Sequence, residues 1–271
     1  MTAANENTYA LGHDDPELAR LEHQARMLAP ATEAILRLAG LRPGMRVLDL
    51  GTGPGDVALA AAGIVGDAGE VVGIDQEEKA LALARRRAAD RGLRNVAFER
   101  GDVRDWRAAG RFDAVVGRLI LLYCPDVPAV IRHHLEALEP GGVYVAMEYD
   151  MTATRAEPAC PAFARAVGWV VEGFRRGGMD PALGLRLGPV LRAAGLDPTV
   201  LGLQIYVSQQ DGARALAGIV STLLPLIEKT GTATAEEVDI ATLPDRLMAE
   251  LAAADAVPIY PTLVGAWASR P

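Results

Sequence analysis

From Met45 onward the chain repeats one unit: a short apolar strand, a glycine-rich turn and a helix. Strand signals fall at Arg46–Leu50, Glu70–Ile74, Val96–Glu99, Phe112–Val116 and Val143–Met147. They are short and apolar on successive residues, the pattern of strands buried on both faces. Helical stretches at Asp56–Gly63, Glu77–Asp90 and Val127–Leu138 separate most of them. Strands alternating with helices over short links predict a parallel, doubly wound sheet with right-handed crossovers. Composition agrees. Half of the 271 residues are hydrophobic and only 5% are aromatic, a balance that favours helices on a parallel sheet over a β-sandwich.

Less regular segments flank the repeat. Residues 1–13 read as a loose arm. Asp14 then caps a helix, with Pro16 in its first turn and Glu17 placed to complete a capping box. Leu18, Leu21, Ala25 and Leu28 share one face of it. Pro30 is expected to break this helix, and a second one is expected from Thr32 to Ala39, stopped by Gly40. After Asp150 the rhythm is lost. Residues 157–195 read as helices interrupted at Gly177-Gly178 and Pro181, and Thr199–Ser208 as a strand. Residues 212–254 read as two helices joined near Gly231, and Ala256–Ala268 as a final, antiparallel strand. The expected fold class is therefore α/β: a mostly parallel doubly wound sheet with an antiparallel last strand and helical cap insertions. One domain over 1–271 is expected, with N-terminal helices to 40 and a core over 41–155. Cap segments fall at 156–198 and 212–254, and closing strands at 199–208 and 256–268.

The formal net charge of −8 bears on partners. Nucleic-acid binders carry basic patches that neutralise phosphates. Here the basic clusters are Arg85–Arg87 and Arg175-Arg176, and the first reads as the solvated side of an Ala/Leu helix. Nucleic acid is not an expected partner. Two cysteines, Cys124 and Cys160, make no disulfide framework. Met1–Tyr9 is polar, and no apolar run reaches the ~20 residues that span a bilayer. These features together predict a cytoplasmic protein with no membrane partner.

The strongest local signal is Val47-Leu48-Asp49-Leu50-Gly51-Thr52-Gly53-Pro54-Gly55-Asp56. An apolar strand ends in three glycines at alternate positions and a helix follows. Glycine permits the tight turn and lets a ligand approach the backbone. Open α/β sheets bind ligands beyond the carboxyl ends of their strands. Twenty-four residues after Gly51, the strand Val71–Ile74 ends in Asp75, whose carboxylate can accept both hydroxyls of a ribose. A third acid-bearing stretch, Glu99-Arg100-Gly101-Asp102-Val103, follows the next strand. A bare tight turn and a dinucleotide site are the competing readings. The dinucleotide fingerprint, G-x-G-x-x-G, wants glycine where this chain has Asp56.

In order and at strand ends, these three stretches resemble class I S-adenosylmethionine-dependent methyltransferases, a Rossmann-like family. Phe112–Arg118 looks like that family's fourth strand, and Leu138-Glu139-Pro140-Gly141-Gly142-Val143 like the turn into its fifth. The resemblance covers about residues 40–150, and the whole chain is loosely similar to ubiquinone/menaquinone-type and bacterial natural-product methyltransferases. It implies S-adenosylmethionine as cofactor and a small-molecule methyl acceptor. Gly51, Thr52 and Gly53 would line the methionine part, with Asp49 behind them orienting the loop or reaching the ammonium. Asp75 would take the ribose and Gln76 the adenine edge, while Asp102 and the Val103 amide would read the adenine. Asp56 would repel a pyrophosphate and tolerate the ammonium and sulfonium. Arg118, unusual at the end of the fourth strand, would bind an anionic substrate group, brace the arm, or pair with a nearby acid. Tyr9 and His13 lie in an arm that relatives use as a lid over the cofactor.

The sulfonium methyl is already activated, so a base matters only where the acceptor must lose a proton. Glu148, following the fifth strand, is the first candidate, and His13 the histidine expected nearest the cofactor. His133 and His134 lie mid-helix, away from or at the edge of its apolar face, and read as structural or exposed. No His/Cys/carboxylate cluster has metal-ligand spacing, so no metal is expected. Trp169, Phe174, Met179, Tyr206 and Tyr260 would roof the pocket with apolar surface. A homodimer is a further candidate assembly. Two other functions share the motifs: a cofactor-binding enzyme of cyclisation type that keeps its methyl, and a nicotinamide-dependent oxidoreductase.

Overall fold

The computed structural model describes the backbone from Asp15 to Pro271 and side chains from Gln24. In chain order its elements begin with α1 (Asp15–Leu38), β1 (Arg46–Leu50), α2 (Asp56–Val65), β2 (Glu70–Asp75), α3 (Glu78–Asp90), β3 (Val96–Arg100) and β4 (Phe112–Arg118). Then come α4 (Val127–Leu135), β5 (Leu138–Asp150), β6 (Arg155–Glu157), α5 (Pro161–Arg176), α6 (Leu183–Ala193) and β7 (Thr199–Leu203). The last are α7 (Gln209–Lys229), α8 (Ala235–Val238), α9 (Leu243–Ala253), β8 (Val257–Ile259) and β9 (Thr262–Ser269). The chain forms two compact units. One comprises residues 25–150, 182–203 and 262–271; the other comprises 151–181 and 204–261 with the described residues up to Gln24.

The first unit is built on a seven-stranded sheet in the order β3-β2-β1-β4-β5-β9-β7. The first five strands run parallel, and β9 is antiparallel to both β5 and β7. The α/β doubly wound architecture with an antiparallel last strand, β9, is therefore as expected. Val47, Leu48, Leu50, Val71, Val72 and Ile74 are buried on successive residues, as central parallel strands require. Register brings the functional ends level. Asp49 pairs with Gly73 and Val116, Leu50 with Ile74 and Gly117, and Arg118 with Met147.

Several boundaries differ from expectation. Pro30 does not break α1, which runs through it. A proline removes one helix hydrogen bond and crowds the preceding turn, but buried Leu28 on one side and Ile35 and Leu36 on the other keep the helix on the sheet. The contact is close: a Cβ added to Gly265 of β9 would stand 2.7 Å from Ile35. The turn expected at Leu138–Val143 is absorbed into β5, where Leu138 pairs with Phe112 and Val143 with Ala114, so that Glu139–Gly142 bulge outward. At its other end β5 runs past Met147 because Glu148, Tyr149 and Asp150 find partners on β9. The helix expected over Val127–Leu138 likewise stops at Leu135.

The second unit holds α5, α7, α8 and α9 with the two-stranded sheet β6-β8. The single strand expected over Ala256–Ala268 is two strands, divided at Tyr260-Pro261. The strand expected over Thr199–Ser208 ends at Leu203, and Tyr206 bridges to Ile259 instead. Three helices rather than two fill 212–254, because Thr234 and Glu237 form a capping box that starts a separate turn. Glu250 of α9 accepts from the Ala162 and Phe163 amides, which caps α5.

Candidate functional site

The carboxyl ends of β1, β2, β4 and β5 converge, and the loop Gly51–Gly55 lies across the first two. Gly51 holds φ +61°, and a Cβ there would fall 2.5 Å from Ile120 Cδ1. Only glycine fits both the angle and the space. The Thr52 amide donates to the Ile74 carbonyl at 2.8 Å, tying the loop to β2. Gly53 donates its amide to Asp75 Oδ2 at 2.8 Å, and Asp75 Oδ1 accepts from the Glu77 amide at 2.9 Å. A carboxylate offers about four lone-pair sites, so Asp75 retains acceptor capacity on both oxygens. The adjoining Gln76 is exposed, and its backbone carbonyl accepts from the Arg100 guanidinium.

Asp49 is 1% exposed, behind this loop. The Thr52 hydroxyl donates to its Oδ2 at 2.6 Å, while Oδ1 has no hydrogen-bond partner. Burial pushes the carboxyl up to about 7, against the pull of Thr52, Arg118 and the nearby Ala58 amide. An unmatched buried acceptor is costly, and it marks a place where a positively charged donor would be welcome.

The loop after β3 is held from two sides. Asp102 is gripped by Arg104 through its backbone amide and guanidinium, which keeps the carboxyl below its ordinary value. From α4, His134 bonds the Val103 carbonyl at 2.6 Å and His133 the Trp106 carbonyl at 2.9 Å. Trp106 in turn lies on Gly101, where a Cβ would overlap its ring. His134 is buried, and burial lowers it to about 4. The histidines are structural, as expected, but His134 belongs to the core rather than to the edge of the helix face.

Arg118 is part of an ion network. Its Nη1 donates to Thr32 Oγ1 of α1 at 2.8 Å, and its Nη2 stands 3.9 Å from Asp56 Oδ2. Asp56 also takes Arg87 at 2.6 Å. The expectation that Asp56 presents a free negative charge to a ligand is thus corrected: two guanidinium groups neutralise it. The ion pair expected for Arg118 is present, at Asp56.

Glu148 is 1% exposed at the end of β5, and its Oε1 accepts from the Ile120 and Leu121 amides at 3.0 and 2.7 Å. Burial raises it to about 8, and these amides oppose the rise. Tyr9 and His13 lie outside the described residues. Among the described residues, no group of three His, Cys, Asp or Glu is placed to hold a metal ion.

The structure thus brings Asp49, Gly51, Thr52, Gly53 and Asp75 into direct contact, and sets Asp102 and Val103 on the neighbouring loop. Thr32, Ile120 and His134 were not singled out as parts of this region. Thr32 lies 86 residues from Arg118, and no local pattern announces such a contact. The arrangement offers a carboxylate with spare acceptors for a diol, an unmatched buried acid for a cation, and a glycine loop between them.

Known proteins share this stretch. A sequence model of a methyltransferase domain matches residues 41–176. Nocamycin O-methyltransferase of Saccharothrix syringae is 40% identical over 114 residues, 42% of this chain and 41% of that protein. The ubiquinone/menaquinone biosynthesis C-methyltransferase of Shewanella oneidensis is 33% identical over 117 residues, 42% of this chain and 47% of that one. The chain spans less than half the length of these relatives. A crystal structure of a SAM dependent methyltransferase from Aquifex aeolicus shares the fold, with TM-score 0.54 and 20% identity over 71% of this chain and 94% of that chain.

Proposed function

From the fact that the chain belongs to the S-adenosylmethionine-dependent methyltransferase family, we propose that it binds S-adenosylmethionine and methylates a small molecule. The observation that carries this reading is the unmatched Asp49 Oδ1, buried directly behind the Gly51–Gly53 loop. The residues fit the cofactor. Asp49, alone or through water, answers its ammonium. Asp75, fixed by the Gly53 and Glu77 amides, takes the ribose hydroxyls. The Asp102–Val103 loop, braced by Arg104 and His134, borders the adenine. When bound, the cofactor supplies a methyl group already activated on a sulfonium. The chain's own part is to bind and orient it beside the acceptor and to exclude water.

The net charge of −8 supports a small acceptor over nucleic acid. Likeness to an O-methyltransferase of nocamycin supports a place in secondary metabolism. Two buried free cysteines fit a cytoplasmic site of action. No described helix is long and apolar enough to cross a membrane. Calorimetric titration of the full chain with S-adenosylmethionine and with a nicotinamide dinucleotide tests the cofactor. Binding of the first alone is expected, and binding of the second alone overturns the reading. Release of S-adenosylhomocysteine on incubation with phenol, quinol and amine acceptors tests the transfer.

A further inference from the structure

The turn leaving β4 is strained and is held by a side chain from the next strand. Leu119 has φ +57°, the left-handed region that a bulky residue adopts only when its surroundings compel it. Its amide donates to the Met147 carbonyl at 2.8 Å. The next two amides, of Ile120 and Leu121, converge on Glu148 Oε1. They open the short 3-10 turn Leu121–Tyr123, where the first donors have no partner within the turn. Glu148 is thus the cap of that turn, supplied 27 residues later in the chain.

What the turn carries is Ile120. Its side chain lies against Gly51, where a Cβ would be 2.5 Å away, and against Gly117, where a Cβ would be 3.1 Å away. The position of Ile120 therefore sets one wall of the glycine loop. We propose that Glu148 is a positioning residue: it pins the Leu119–Leu122 turn so that Ile120 fixes the loop at Gly51 for cofactor binding. This rests on the reading of Gly51–Gly53 as the cofactor loop. It is a role distinct from that of base expected for Glu148. The amides of Ile120 and Leu121 engage Oε1 and give Glu148 a structural task that asks for no proton transfer. The clamp needs an acceptor oxygen and no charge, so glutamine serves and alanine does not.

Titration of the full chain with S-adenosylhomocysteine, paired with hydrogen exchange of the segment holding Ile120 and Leu121, tests the clamp. Glu148→Ala is expected to speed that exchange about tenfold or more and to weaken S-adenosylhomocysteine about fivefold or more. Glu148→Gln is expected to restore most of both. Ile120→Ala is expected to weaken binding severalfold while the exchange stays slow, which keeps the test open if Glu148→Ala does not fold. Three results overturn the clamp alone: Glu148→Gln as impaired as Glu148→Ala, Glu148→Ala binding like wild type, or Ile120→Ala binding like wild type. Failure of the wild-type chain to bind S-adenosylhomocysteine overturns the loop assignment together with it.

Discussion

At Gly51 one hydrogen atom decides whether the loop can form. Alanine there meets both a positive φ and the Ile120 side chain. Gly51→Ala should cost about 1–3 kcal/mol of stability, read by urea unfolding. Adding Ile120→Ala should return part of it, since contacting residues couple; strict additivity of the two changes would leave the backbone angle as the whole cause. Asp75 works through charge. Its carboxylate holds the Gly53 amide and keeps acceptors spare for a diol. Asp75→Ala should lose charge-assisted bonds worth about 1.5–3 kcal/mol, or roughly 10- to 150-fold in S-adenosylhomocysteine affinity. Unchanged affinity by calorimetry would remove Asp75 from the site.

Among elements, the helix α1 shows where sequence reading stops. Its proline looks like a terminator, yet α1 continues because apolar residues on both sides of Pro30 are buried. The β-strands were legible because parallel strands are apolar on every residue. β5 is expected to end at Met147 because charged Glu148 and Asp150 interrupt its apolar run, whereas both are buried and paired along β9. The glycine loop and Asp75 announced themselves by spacing. The Thr32–Arg118 bond did not, because it joins elements far apart in the chain. That bond fastens α1 to the end of β4. Thr32→Val should remove an acceptor from a guanidinium only 10% exposed, costing about 1–3 kcal/mol. A melting temperature equal to wild type would show that Asp56 alone satisfies Arg118.

Across the molecule, the site gathers buried acids that the fold holds above their ordinary pKa values, and this gives stability a pH dependence of known sign. Glu148 rises from 4.5 to about 8 and Asp49 from 3.8 to about 7, both because of burial. The folded state therefore holds protons that the unfolded chain has released, so stability falls as pH rises, by at most about 1.4 kcal/mol per pH unit for each group. The Asp49 contribution is fully present below pH 3.8 and lost through about 7; that of Glu148 is fully present below 4.5 and lost through about 8. His134 works oppositely. Lowered from 6.5 to about 4, it contributes stability above 6.5 that is lost as pH falls through 4. Near pH 6.5 the histidine still offsets part of the acids' slope, and about one unit higher it no longer titrates and the acids act alone. Cys124 and Tyr144, which lie near Glu148, do not interfere, since burial raises the thiol to about 12 and the phenol further. Unfolding free energy should therefore decline from pH 6.5 to 8 in the wild type. From pH 7 to 8 the larger share of the decline belongs to Glu148 and the rest to Asp49, so Glu148→Gln should remove most of it while leaving the acid arm set by His134 unchanged. Parallel wild-type and Glu148→Gln curves over that interval would mean that Glu148 is ionised in the folded protein, and the carboxylate would then be capping the Ile120–Leu122 amides as an anion rather than as a neutral acid.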